Sequence, residues 1–364
     1  MSSQTALVIP TPKAPFTLST TEMIPSPGPG EVLLKICSTA LNPGNWKQRE
    51  YDVVIEEYPA ILGMDIAGVI EAVGPGVAGF KKGYRVFTQT VLGGGFQQYT
   101  TVPAAVLMPI PDNVSFDEAA TIPTAFVSAA VGLLAPAPIG LGLNPTFSWD
   151  QPLKGQSALV LGGSTSVGQF AIQLLKFMGA TRIVVYASAT HFDYLRRIGA
   201  TECIDRRQVP IDSLAAHPSL SVPVNVVFDA AGAQYDSVGG AKNVAYDCVE
   251  DGGSITTLVW TPEVDRDRKK KVNIVSAMGY LAGPDVVRLK RDNVNGYSGT
   301  VQHTAFGKLI IQSVPEMLRT GALVGNRVEV LPGGLAGIVG GLERLKDGTV
   351  SGVKLVAHPW DPIA

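Results

Sequence analysis

Between Glu31 and Val102 the apolar positions fall in short runs, Glu31–Cys37 (EVLLKIC), Ile66–Val73 (IAGVIEAV), Tyr84–Thr88 (YRVFT) and Phe96–Val102 (FQQYTTV). Pairs such as Pro27-Gly28 and Pro75-Gly76 separate them. Proline presets φ and glycine accepts the remaining turn geometry, so these runs predict short β-strands in a barrel-like first part. From Gly155 the period changes. Ser157–Gly162 reads as a buried strand, Ser166–Met178 as a helix with apolar residues at helical spacing, and Ile183–Ala187 as a second strand. Phe192–Ile198 reads as a short helix, and Val224–Ala230 and Ser254–Val259 as further strands. Alternating apolar strands and helices mark a doubly wound parallel sheet covered on both faces, so the fold class is α/β. A helix at Ala305–Arg319, a β segment at Asn326–Val330, a helix at Leu335–Lys346 and a strand at Ser351–Ala357 follow, and either close that sheet or return to the first domain. Gly132–Asp150 and Ala282–Thr300 fit neither period. Apolar but rich in Pro and Gly, the first reads as a lid or binding loop, with Phe147 and Trp149 as substrate contacts because leaving them in water is costly.

A chain of 364 residues supports one large or two medium domains with real cores. At 46% hydrophobic and 16% charged residues it is not a disordered chain. The net charge of -2, with one dense basic run at Arg266–Lys271, gives no footprint for nucleic acid or an anionic membrane. The first residues lack the basic start and apolar run of a secretory signal, and no window offers the roughly 20 apolar residues of a membrane span. A soluble, cytoplasmic protein is expected. Cys37, Cys203 and Cys248 show no CxxC spacing and read as small buried residues in a reducing compartment, with neither disulfides nor a zinc cluster.

The strongest local signal is Leu159–Gln169 (LVLGGSTSVGQ), a strand that passes through a Gly- and hydroxyl-rich turn into a helix. Amides at such a helix start, aided by its dipole, suit a pyrophosphate. Gly162, Gly163 and Gly168 allow close approach, and Ser164, Thr165, Ser166 and Val167 supply the turn, although the spacing departs from GxGxxG. Cofactor choice is made after the second strand, where a carboxylate would hold the ribose 2′-hydroxyl of NAD and repel a 2′-phosphate. Here Ser188, Thr190 and His191 follow the strand, no carboxylate comes before Asp193, and Arg206 lies downstream. These residues point to NADPH.

Four segments in order carry a family resemblance: Ala40–Lys47 (ALNPGNWK), Pro59–Gly68 (PAILGMDIAG), the turn at 162–168 and Gly348–Val356 (GTVSGVKLV). Together they resemble the zinc-free medium-chain dehydrogenases/reductases over nearly the full chain. Within that superfamily the chain looks most like the quinone-oxidoreductase-like branch that includes the trans-acting enoyl reductases of fungal polyketide pathways. The resemblance implies a GroES-like β-barrel catalytic domain at 1–130 and 308–364, and a Rossmann NADPH-binding domain at 131–307. It implies that Gly44, Asn45, Trp46 and Lys47 lie beside the nicotinamide ribose, with Lys47 organising the site. Thr121–Ser128 would line the cleft, with Thr121 and Thr124 toward substrate and Thr124 also toward cofactor. Leu258, Val259, Val350 and Ser351 would flank the cofactor. Zinc-dependent relatives place a Cys ligand at the position of Asn42 and a His-Glu pair at Met64-Asp65, so no metal is expected. Tyr84 departs from the family, which has Asp there.

Without a metal to polarise a carbonyl, a conjugated acceptor is the easier substrate. The expected reaction is hydride delivery from NADPH to the β-carbon of an enone, enal or enoyl thioester, free or tethered to a carrier, while hydrogen-bond donors hold the enolate oxygen. The proton would come from water or a side chain such as Tyr297. A quinone reductase using the same cofactor, and a non-catalytic NADPH-binding protein, are the alternatives. The chain is expected to act as a monomer or homodimer.

Overall fold

The structure, a computed structural model, describes residues 2–90, 93–231, 240–258, 269–277 and 301–362. Ala282–Thr300, with Tyr297, and Val259 lie outside the described residues. The chain divides into two compact units, Met1–Thr124 with Tyr280–Ala364, and Ala125–Gly279.

The first unit opens with β1 (Ser3–Ile9), β2 (Thr17–Met23), β3 (Glu31–Ala40), α1 (Pro43–Tyr51), β4 (Ala60–Ile61), β5 (Asp65–Val73), β6 (Arg85–Gln89), β7 (Tyr99–Pro103), β8 (Met108–Pro109) and α2 (Phe116–Ala120). Helix α3 (Pro123–Leu134) carries the chain onward. The second unit contains β9 (Ser157–Leu161), α4 (Ser166–Phe177), β10 (Arg182–Ala187), α5 (Phe192–Ile198), β11 (Glu202–Asp205), β12 (Val224–Asp229), α6 (Gly240–Cys248), β13 (Val249–Thr257) and β14 (Asn273–Ser276). The first unit resumes with α7 (Val301–Thr320), β15 (Val328–Val330), α8 (Gly334–Lys346) and β16 (Lys354–Ala357). Among the described residues no helix is long and apolar enough to cross a membrane.

In the first unit β15, β16, β3, β5, β6 and β8 form a sheet in that order, with β7 pairing β3, and β2-β1-β4 form a small second sheet. Strand β3 is its centre. It pairs antiparallel with both β5 and β7 and returns the C-terminal strand to the first unit through Val356 opposite Ala40. Among the described residues of this unit, one apolar cluster gathers around Ile36, Ile66 and Val86 and another joins Leu41, Leu62, Leu335 and Leu355. The turn before β6 that holds Tyr84 is closed by backbone bonds from Gly83 N to Ile70 O and from Tyr84 N to Lys81 O. The Tyr84 ring packs edge-on to Phe80.

Among the described residues the second unit holds six parallel strands in the order β11-β10-β9-β12-β13-β14. This is the strand order of a doubly wound dinucleotide-binding sheet, and it reverses between β9 and β12, where ligands bind at the carboxyl ends. Helix α4 covers it by burying Phe170, Ile172, Leu174 and Leu175, each worth about 1.5–3 kcal/mol relative to exposure.

Two expectations need correction. Gly132–Leu134 is not loop but the last turn of α3, whose side chains run almost uniformly apolar and buried. In the ordered segment after it, Phe147 is 4% exposed and packs against Phe126 and Phe177, so it is part of this unit's core. Trp149 stays 54% exposed with its ring edge against Phe177. Of the cysteines only Cys248 is fully buried, which pushes its thiol up to about 12, while Cys37 and Cys203 are half-buried.

Candidate active site

In the second unit the chain leaves β9 through Gly162, held at φ +73°, a conformation that L side chains rarely adopt. At Gly168 a Cβ would lie 2.4 Å from the Gly162 carbonyl oxygen, so only glycine lets α4 start this close to the strand. Thr165 caps the helix by accepting from the Gly168 amide at 3.0 Å. Fully buried Gln169 donates to the Ser164 carbonyl and is itself held by the Tyr194 hydroxyl on α5. Gly163 faces Val185 of β10. Ser164, Thr165, Ser166 and Val167 remain half-exposed. The amides of Ser164 and Val167 meet no protein acceptor among the described residues, which fits a rigid turn that binds a pyrophosphate.

After β10, Ser188 is buried and accepts from Arg206 Nε at 2.8 Å. Arg206 is otherwise exposed, as is Thr190, and His191 is buried. The structure thus brings Arg206 onto the turn that the second strand leads into. It also brings a carboxylate there that was not foreseen: Asp205, at the end of β11, accepts from the amides of Ala189 and Arg207. At the far end of β12, fully buried Asp229 accepts from the Ala231 amide and the Thr257 hydroxyl, next to half-buried Leu258.

In the first unit Thr124 belongs to a buried polar network, to which Asn45 is linked through Asn42. Fully buried Asp65, at the start of β5, accepts from Asn42 Nδ2 at 2.8 Å, the Thr124 amide at 2.8 Å and the Thr124 hydroxyl at 2.6 Å. Lys354 of β16, 4% exposed, places Nζ 3.3 Å from Asp65 Oδ2 and 2.5 Å from Asn42 Oδ1. Burial pulls the Lys354 ammonium below the ordinary lysine range, and the Asp65 charge opposes that pull. Gln89 Nε2 donates to Thr124 Oγ1 at 3.0 Å.

Helix α1 grows out of this network, with Pro43 at its first position and Asn42 before it. Asn45 is fully buried, takes the Asn42 amide on Oδ1 and donates to Gln48. Gly44 lies against Met64. Trp46 and Val350 pack on the same apolar cluster, and the Trp46 indole nitrogen is buried. Lys47 is exposed with its ammonium over the Trp46 ring, and Ser351 is exposed. Thr121 is buried, donates to the Glu118 carbonyl and accepts from the Asn326 amide, so its hydroxyl serves the joint between α2 and α3. Among the described residues no group of three or more His, Cys, Asp or Glu could hold a metal ion.

Comparison with known proteins agrees with this architecture. The alcohol dehydrogenase GroES-like domain matches residues 28–112, and the zinc-binding dehydrogenase family matches residues 166–286. A trans-enoyl reductase of Aspergillus flavipes is 31% identical over 96% of this chain and 97% of its own. A dehydrogenase of Monascus ruber is 30% identical over 95% and 97%. Among solved structures, an alcohol dehydrogenase superfamily protein from Novosphingobium aromaticivorans superposes with TM-score 0.72 at 24% identity, over 97% of this chain and 99% of its own. The quinone oxidoreductase from Coxiella burnetii does so with TM-score 0.68 at 20% identity, over 98% and 99%. The chain therefore belongs to the medium-chain dehydrogenase/reductase family, nicotinamide-dependent oxidoreductases with a GroES-like and a Rossmann domain, in the company of the fungal trans-enoyl reductases.

Proposed function

We propose that this protein is an NADPH-dependent, zinc-independent enoyl reductase of secondary metabolism, acting in the cytoplasm as a monomer or homodimer on an α,β-unsaturated thioester or ketone. The observation that carries the reading is the similarity to trans-enoyl reductases along almost the full length of both chains. NADPH when bound supplies the hydride for the β-carbon of the acceptor. The turn at 162–168 holds its pyrophosphate, and Arg206, anchored by Ser188, meets the 2′-phosphate as a charge-assisted donor. The Asp205 carboxylate next to it is already engaged by two amides, which blunts its repulsion of that phosphate. Asn42 and Met64 offer neither thiolate nor imidazole to a zinc ion, and the Lys354 ammonium already bonds Asn42 and Asp65.

NADPH consumption with enoyl thioesters, enones, enals and quinones tests the reading. Turnover of enoyl thioesters and enones above quinones is the expected result; turnover of quinones alone, or NADPH binding with no acceptor reduced, overturns it. Arg206→Ala is expected to weaken NADPH binding roughly tenfold to a hundredfold, the worth of a charged hydrogen bond, and to leave NADH binding unchanged. Calorimetric titration of both cofactors checks this.

A further inference from the structure

We propose that Lys354 is a positioning residue that stands as a built-in cation at the centre of the first unit and sets the hydrogen-bond polarity of Thr124. Three donors that cannot act as acceptors point at Asp65: Asn42 Nδ2 and Lys354 Nζ on Oδ2, and the Thr124 amide on Oδ1. With the Thr124 hydroxyl also on Oδ1, both carboxylate oxygens are fully used and no room remains for a proton. Asp65 is therefore an anion, and Lys354 is the charged group that faces it. Among the described residues the other side chains bonded in this network, Asn42 from the approach to α1, Thr124 from α3 and Gln89 from β6, do not titrate.

The consequence lies at Thr124. Its single hydroxyl proton goes to Asp65, and its oxygen accepts from Gln89, so it presents itself to any further partner as an acceptor. Remove the ammonium, and Asp65 becomes a buried carboxylate without a counterion, which takes up a proton and turns from acceptor to donor. The Thr124 hydroxyl then reverses. Because Lys354 also bonds Asn42, the residue that precedes α1, the same cation fixes the helix that carries Gly44–Lys47.

Lys354→Met and Lys354→Arg test this, read by amide exchange and by the pH profile of enoyl-thioester reduction; the second readout rests on the reading proposed above, the first does not. In Lys354→Met the Thr124 amide is expected to exchange at least tenfold faster, while amides of β9 and β10 keep their protection. Its kcat/KM is expected to fall at least tenfold at neutral pH and to change with pH, against a flat wild-type profile, because the buried carboxylate has lost its counterion. Lys354→Arg keeps the charge and is expected to keep both the protection and the flat profile. Unchanged Thr124 exchange in Lys354→Met, or a pH profile parallel to wild type, overturns the proposal. If Lys354→Met fails to fold, loss of Thr124 protection in a folded Lys354→Arg overturns it instead. A wild type without turnover defeats the enoyl-reductase reading and leaves the exchange result to decide the role of Lys354.

Discussion

Asp65→Ala is expected to destabilise the first unit by about 3–5 kcal/mol, the cost of stripping one partner from a buried ion pair. The substitution leaves the Lys354 ammonium, 4% exposed, with the Asn42 amide oxygen as its one acceptor among the described residues, and the Thr124 amide and hydroxyl lose their acceptor. Asp65→Leu combined with Lys354→Met is expected to recover most of the loss, because a well-packed apolar pair tolerates burial that an unpaired charge does not. Urea denaturation of the single and double variants gives the comparison. A loss within about 1 kcal/mol for Asp65→Ala would mean that the network contributes no more than an exposed pair does.

The second large effect is expected at the turn between β9 and α4. In Gly168→Val the new Cβ would meet the Gly162 oxygen at 2.4 Å and the Gly163 Cα at 2.9 Å, both backbone atoms with no rotamer to yield. The strand-to-helix turn has to open, at an overpacking cost of about 1–3 kcal/mol. The amides of Ser164 and Val167 move with it, so cofactor affinity is expected to fall about a hundredfold or more, close to 3 kcal/mol. Gly340→Ala on α8 is the control. A Cβ there meets nothing within 4 Å, and loss of glycine's freedom in the unfolded chain is expected to leave stability unchanged or raised by about 0.4–1 kcal/mol. Equal cofactor binding by the two variants would remove the turn from the site.

How much of this was legible in the sequence depended on whether the information was local. Helices α4 and α5 and strands β3, β5, β9 and β10 lie within a residue or a few of where periodicity put them, because their burial follows their own pattern. Helix α1 went unread as a helix, since PGNWKQREY is largely polar and is set by Pro43, the Asn42–Asn45 bond and the left-handed Asp52 that ends it. Arg206 was named only as a candidate neighbour of Ser188; what joins them is the pairing of β10 with β11, which no local pattern encodes. Asp205 arrives at the same turn by the same pairing.

Nothing local in the sequence assigns Lys354 a role. Its partner Asn42 lies 312 positions away, and a lysine in GVKLV reads as a strand residue facing water. A local hint exists. Leu355, Val356 and Ala357 are apolar on both faces of β16, so the strand is covered on each side and a lysine within it must find a buried counterion. Asp65, between Met64 and Ile66, carries the same hint in reverse.

Hydride transfer from NADPH to the β-carbon of a conjugated acceptor, as proposed above, is tested most directly by running the reaction with cofactor deuterated at the transferred position of the nicotinamide, in ordinary water, and locating the label in the product. Deuterium at the β-carbon of the saturated thioester, with hydrogen from solvent at the α-carbon, is the predicted result. Deuterium at the carbonyl carbon of an allylic alcohol, or label transfer to no unsaturated acceptor, would contradict it.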